Sequence, residues 1–323
     1  MLTFSSIIFC VMLFVALMIP GFIMGKLGRI DGSAVSAIGR IISDIAMPAL
    51  VFVKLVETDV TRLDAASLLI CTVLPGGVML TIYFISKGIF KEKSGSLEHR
   101  CAVFCSVFPN CGFVGIPLAA ALFPSEPAVT LYVSLTNVVS SFLFLTLGMS
   151  ILSGKASQKP TLKSILGIIL RPVNFAVALG FLCSPLNLSS VFPDGVSYFN
   201  VLSQLTTPLA MTVLGFELSQ MKLSDLFGDV RIYTVAAIRL ILSPLISIAA
   251  LLILKILLGV EISYLLMSGV FIAMAVSSAA SAAAMARAHG INGKLAPAAT
   301  VVNTILSIAT LPLGFLICNA LFA

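Results

Sequence analysis

Charge is what this sequence has least of. Only 10% of its 323 residues are charged and the mean hydropathy is +1.14, against about 25% charged residues in an average soluble domain. So little polar material cannot cover a soluble surface, which excludes a soluble enzyme and a disordered chain. Histidine is scarce too, with two residues. None of the seven cysteines (Cys10, Cys71, Cys101, Cys105, Cys111, Cys183, Cys318) stands in a C-x-x-C pair. A disulfide scaffold and a metal site are therefore not expected, and the thiols read as buried hydrophobic groups. The sequence has no phosphate loop, nucleophile–base pair or nucleotide-binding motif, so neither an enzyme nor a primary pump is indicated. It also has no basic n-region, so a cleaved signal peptide is not expected.

What is there instead is a series of long apolar runs. About 20 apolar residues cross a bilayer as a helix. Ten runs qualify, near 4–25, 34–55, 66–90, 100–123, 127–152, 164–186, 196–220, 231–258, 262–287 and 295–320. The net charge of +6 is then a matter of topology rather than a nucleic-acid footprint. Fifteen basic residues fall in odd-numbered connections: Lys26, Arg29, Arg40, Lys87, Lys91, Lys93, Arg100, Lys155, Lys159, Lys163, Arg171, Lys222, Arg231, Arg287 and Lys294. Three (Lys54, Arg62, Lys255) fall in even ones. By the positive-inside rule the odd connections are cytoplasmic and both termini lie outside, in a cell (inner) membrane. Lys54, Arg62, Glu57 and Asp59 read as an interfacial charge cluster.

The chain also repeats itself. SLTNVVSSFLFLTLG in the fifth run aligns with TVVNTILSIATLPLG in the tenth. Asn137 falls on Asn303, Ser141 on Ser307, Leu145 on Leu311 and Gly148 on Gly314. Pro20, Pro48 and Pro75 pair in the same order with Pro172, Pro208 and Pro244. Five spans is an odd number, so a second copy enters the membrane from the opposite side. The expectation is an all-α membrane protein of ten transmembrane helices in two inverted five-helix repeats. The first repeat would span residues 1–153 and the second 164–323, joined by a cytoplasmic connection over 154–163.

The fourth run carries two prolines, two glycines and an asparagine in nine residues, from Pro109 and Asn110 through Gly112 and Gly115 to Pro117. A continuous helix is not expected there. Freed amides would suit an anion and freed carbonyls a cation. Its partner, the ninth run, has no proline but carries Ser277, Ser278 and Ser281 among alanines, which fits either a second break or a tight helix interface. Four further polar residues stand at membrane depth. Asp44, four residues before Pro48, suits a proton or cation site. Arg239 would attract an anionic substrate, pair with Asp44, or snorkel. Asn137 and Asn303 would line a cavity or clamp broken backbone.

Several segments resemble the auxin efflux carrier family, which includes bacterial dicarboxylate permeases and plant PIN-type carriers. They are Gly21–Ile30 (GFIMGKLGRI), Ile45–Phe52 (IAMPALVF), Asn110–Leu118 (NCGFVGIPL), Pro208–Gly215 (PLAMTVLG), Ala286–Gly290 (ARAHG) and Thr304–Pro312 (TILSIATLP). The resemblance implies that helices 4 and 9 cross at broken points with substrate bound beside the crossing. It also implies a scaffold of helices 1, 2, 6 and 7, often dimeric, and a moving transport domain of helices 3–5 and 8–10. The implied function is secondary carriage of a small organic anion, such as a mono- or dicarboxylate, by elevator-like alternating access, with coupling to H+ or Na+ open and no cofactor. The binding set implied is Pro109, Asn110, Gly112, Gly115, Asn137, Ser277, Ser278, Ser281, Asn303, Asp44 and Arg239. This chain departs from the family in having Ser277 where helix 9 usually carries proline, and Ser281 where asparagine is frequent. The alternatives are a bile-acid-type sodium symporter and a non-transporting membrane sensor or assembly factor.

Overall fold

Apolar runs with few charges to interrupt them form helices, and in lipid helices must satisfy their own backbone. The computed structural model describes residues 4–58, 63–90, 97–154, 162–186, 188–222, 228–291 and 294–322. In chain order its helices are α1 (Phe4–Lys26), α2 (Gly32–Val56), α3 (Ala65–Ile89), α4 (Leu97–Val107), α5 (Cys111–Leu122), α6 (Pro127–Ser153) and α7 (Leu162–Ile169). They continue as α8 (Pro172–Leu186), α9 (Pro193–Ser219), α10 (Val230–Leu258), α11 (Tyr264–Ala275), α12 (Ala282–Ala288) and α13 (Leu295–Phe322). Seven of them (α1, α2, α3, α6, α9, α10, α13) are long and apolar enough to cross a membrane. The chain is thus an all-α, multi-span membrane protein. The remaining apolar runs are interrupted, as α4–α5, α7–α8 and α11–α12. Asp59, Arg62, Lys91, Lys93, Lys155, Lys159 and most of the 154–163 connection lie outside the described residues. Lys54 and Glu57 of the expected interfacial cluster do pair, at 2.9 Å.

Local chemistry marks the helix starts. Asp31 accepts from the Ala34 amide at 2.8 Å to open α2, and Asp64 accepts from the Ser67 amide and hydroxyl to open α3. These bonds favour the charged carboxylate, so both acids are held below their ordinary range, Asp31 by the Ala34 amide first and Asp64 by the Ser67 hydroxyl first.

Proline sets a second, less obvious pattern. It has no N–H to donate to the carbonyl four residues back, and its ring crowds that carbonyl. A π-turn absorbs the mismatch by inserting one residue. π-turns span Ile42–Ala46, Cys111–Gly115 and Ile238–Leu242, and each ends two residues ahead of a proline: Pro48, Pro117 and Pro244. A fourth, Phe144–Gly148, has no such proline. Asp44, Gly112 and Arg239 all sit in these turns.

α1 packs along α9, α2 against α8 and the start of α9, and α6 lies between α3 and α11. The α1–α9 contact is backbone to backbone. A Cβ on Gly21 would lie 1.9 Å from the Thr212 carbonyl oxygen, and one on Gly215 would lie 1.9 Å from that of Met18. Neither oxygen belongs to a flexible side chain, so the helices must separate to admit a methyl group. Gly21→Ala and Gly215→Ala are each expected to cost about 1–3 kcal/mol or more, read as a lower melting temperature in detergent, whereas Gly77→Ala, with open space around it, leaves melting unchanged.

Candidate functional site

α4 stops at Val107 because Pro109 follows: the residue before a proline is pushed out of the helical region. α11 stops at Ala275 without a proline. Val276 is extended (φ −74°, ψ 162°), and after it the Ser277 carbonyl and the Ser278 hydroxyl bond to the other chain segment. The two breaks meet as an isolated antiparallel bridge between Pro109 and Ser278, the one β interaction among the described residues. The Asn110 amide donates to the Ser277 carbonyl at 2.8 Å, and the Ala279 amide donates to the Phe108 carbonyl at 2.9 Å. The ninth run is therefore broken here, even with Ser277 in place of proline.

A helix end leaves carbonyls without intrahelical partners, and each one buried in an apolar setting is costly. At the end of α4 all are met. Phe104 accepts from the Phe108 amide at 3.2 Å, and Cys105 from the Ser278 hydroxyl at 2.8 Å. Ser106 and Val107 accept from the Arg239 guanidinium at 3.4 and 3.1 Å, and Phe108 accepts from Ala279. At the end of α11 the Cys111 thiol donates to Ala273 at 3.3 Å, and Arg239 donates to Met274 at 2.6 Å and to Val276 at 3.3 Å.

Arg239 is fully buried and serves both helix ends. It neither snorkels nor pairs with Asp44, and it does not line the cavity beside the crossing. Those expectations give way to a simpler physical demand. The nearest uncompensated negative charge is the pair of helix C-termini, and a guanidinium has enough N–H groups for several carbonyls.

The cavity, about 420 Å³, lies on one side of the crossing. Its polar lining includes Asp44, Asn110, Asn137, Arg171, Asn174 and Ser281. Asn110 opens α5, its side-chain oxygen accepting from the Phe113 amide at 3.3 Å. Its Nδ2, buried, has no partner. Pro109 and Gly112 also line the cavity. A Cβ on Gly112 would come 3.6 Å from the Asn137 Oδ1, an ordinary contact distance, so Asn137 lies beside the start of α5. Gly115 is buried behind, where a Cβ would press on Val133 at 3.2 Å.

The repeat-related asparagines divide their work. Asn137 is half-buried at the cavity wall. Asn303 is fully buried and away from it, donating through Nδ2 to the Ser278 hydroxyl at 2.7 Å. Ser277 and Ser278 are fully buried in the bridge, and only Ser281 of the three serines reaches the cavity.

Among the lining residues outside the expected set, Arg171 and Asn174 carry the strongest polar groups. Arg171 was counted with a cytoplasmic connection. It lies at the start of α8, between α7 and Pro172, and reaches the cavity with no ion pair among the described residues. Asn174, one turn on, donates to the Ile168 carbonyl at 2.8 Å and so ties α8 to α7. The Arg171-Pro172 pair within an apolar run was the available signal: a basic residue beside a helix-starting proline, in register with the Pro20 repeat position.

The pattern of the membrane transport protein family matches residues 6–160 and 155–314. An "Uncharacterized transporter" of Methanothermobacter thermautotrophicus is 26% identical over 309 residues, covering 92% of this chain and 93% of that protein. A "Putative malonate transporter" of Rhizobium meliloti is 23% identical over 301 residues, covering 92% and 91%.

Ser278 is the hinge of the crossing, bonded to Cys105 and Asn303 at once. Ser278→Ala is expected to leave both partners unsatisfied and to lower stability by about 1–3 kcal/mol. Ser281→Ala, at the cavity surface, should leave the melting temperature unmoved.

Proposed function

The chain belongs to the membrane transport protein family, and from that premise we propose that it is a secondary carrier for a small organic anion of the mono- or dicarboxylate class. The family and the names of its relatives indicate a transporter of small solutes rather than an enzyme. The observation that carries the anion is the cavity beside the crossing. Arg171 enters it without a carboxylate partner among the described residues, and Asn110, whose buried Nδ2 has no partner, forms part of its wall. A planar guanidinium suits a carboxylate because it offers two parallel N–H groups. The first turn of α5, which faces the same space through Asn110, Gly112 and Phe113, adds the positive end of a helix dipole. A volume of about 420 Å³ falls in the usual range for small-molecule sites, roughly 300–1,000 Å³. The Rhizobium meliloti relative is named for malonate, a dicarboxylate of this class.

The ten-span inverted repeat is part of the same proposal. It is supported by the meeting of two interrupted helices in antiparallel register and by the reciprocal glycine contacts of α1 and α9. With odd connections cytoplasmic, Phe144, Arg171 and Met285 lie on the cytoplasmic side of the crossing. The cavity then opens inward, the state that loads or releases substrate at the cytoplasm. Elevator movement would carry the crossing helices past the α1, α2, α8 and α9 scaffold.

Asp44 shares the cavity with Arg171 but is not paired with it. In this scheme a proton taken up by the Asp44 carboxylate removes a negative charge from the cavity that the substrate anion shares with Arg171, which couples anion movement to a proton. Uptake of labelled malonate, succinate and acetate into proteoliposomes tests the reading, and saturable flux of at least one is expected. Arg171→Gln and Asn110→Ala should each cut that flux by more than about tenfold, the loss of one charge-assisted or buried hydrogen bond. Asp44→Asn should flatten its pH dependence. Unchanged flux in the Arg171 and Asn110 variants would remove the substrate from this cavity.

A further inference from the structure

Two helix C-termini aimed at one point make a negatively polarised pocket. Each carries about half an elementary charge, and at such interrupted helices carriers hold sodium ions or protons on freed carbonyls. At this crossing the carbonyls of Ser106, Val107, Met274 and Val276 converge as such a pocket would require. The pocket is already filled. The guanidinium of Arg239, carried in from α10 on the Ile238–Leu242 π-turn, touches all four oxygens at 2.6–3.4 Å and is fully enclosed.

Three features argue that this is a cation site with a tethered occupant rather than an arginine that merely fills space. The bonds all go to carbonyl oxygens, the ligand type of a hard monovalent cation, and none goes to a carboxylate. The oxygens come from both interrupted helices, so the positive charge holds the ends of α4 and α11 together as a bound ion would. The π-turn ahead of Pro244 costs α10 regular hydrogen bonding, and the residue it presents inward is the arginine. Among the described residues no acidic side chain lies within ion-pair distance of Arg239, so the two helix ends are its counter-charge.

We propose that the Arg239 guanidinium is a built-in substitute for a metal cation at the crossing, so that this protein holds its interrupted helices together and works with no sodium or potassium ion bound there. Coupling then has to come from elsewhere, and a sodium-symporter cycle through the crossing is closed to this chain. The positive charge stays in place on both halves of the transport cycle, whereas a bound ion would leave with the substrate.

The test has a stability arm and a flux arm, of which only the second rests on the carrier reading. For the wild type, melting in detergent and anion flux in liposomes are measured in sodium, potassium and choline salts. Equal values in all three are expected, and a saturable requirement for sodium or potassium overturns the proposal. Arg239→Ala empties the pocket. Its melting temperature is expected to rise saturably with low-millimolar guanidinium, or with sodium, while the wild type does not respond. A folded Arg239→Ala protein that answers to neither cation overturns the proposal, because the vacated carbonyls would then not form a cation site. If Arg239→Ala fails to fold, Arg239→Lys decides with the wild type. It keeps the charge but loses the fork, and is expected to fold with flux lowered by about tenfold at most and still independent of sodium. A lysine variant that is folded but silent in every salt counts against a role carried by charge. Failure of all flux with the stability arm intact would overturn the choice of substrate and leave the assignment of Arg239 standing.

Discussion

Everything at the centre of this molecule follows from one constraint: a peptide carbonyl inside a membrane has to find a donor. Two helices stop halfway across, and their last carbonyls cannot be left to lipid. One arginine from a third helix meets four carbonyls at these ends, and the Ser278 hydroxyl, the Ala279 amide and the Cys111 thiol meet those of Cys105, Phe108 and Ala273. The exchange is favourable on both sides. A guanidinium alone in such a place would carry a desolvation cost of several kcal/mol, and so would unpaired carbonyls. Together each removes the other's penalty. The cavity wall of Phe108, Pro109 and Asn110 stands directly on this arrangement, so its shape is only as firm as the arginine behind it.

Much of this could be read in the chain itself, and where it could not there are physical reasons. The apolar runs, their number and the break at Pro109 are local properties, set by hydropathy and by proline's missing N–H. The π-turns ahead of Pro48, Pro117 and Pro244 are local in cause, yet a π-turn has no signature beyond its proline, and prolines such as Pro20 and Pro75 sit within continuous helices. The break at Val276 was legible only as a question. Nothing in V-S-S-A forbids a helix. What opens it is a set of partners on α4 and α13 more than a hundred residues, or some 25 residues, away. Asn137 and Asn303 show the limit of repeat logic. The sequence makes them equivalent, but one meets a glycine and a cavity while the other meets a serine hydroxyl. Arg239 and Arg171 were the hardest to place: the deeper arginine looked like a partner for substrate and sits on helix carbonyls, whereas the one near a connection looked like a topology marker and lines the cavity. Depth along a helix does not say which way a side chain points, and only the packed structure separates a cavity from a helix end.

The interruption and the cavity are also two uses of one device. On the α5 side of the break the chain restarts with its first turn toward the cavity, through Asn110, Gly112 and Phe113. On the α4 side it stops with acceptors facing inward, toward Arg239. The same crossing therefore gives the cavity the start of one helix and keeps the carbonyl ends of two for Arg239.

The distances in sequence between these partners have a bearing on how the chain is made. The Cys105, Ser106, Val107 and Phe108 carbonyls are completed by Ser278, Arg239 and Ala279, residues that follow them by 132 positions or more. When α4 and α5 first enter the bilayer from the ribosome, none of those donors has been synthesised. The first half of the protein can be inserted but not finished. Its central helix ends stay provisional until α10 and α11 arrive, so assembly of the crossing is a late event that joins both halves at one stroke.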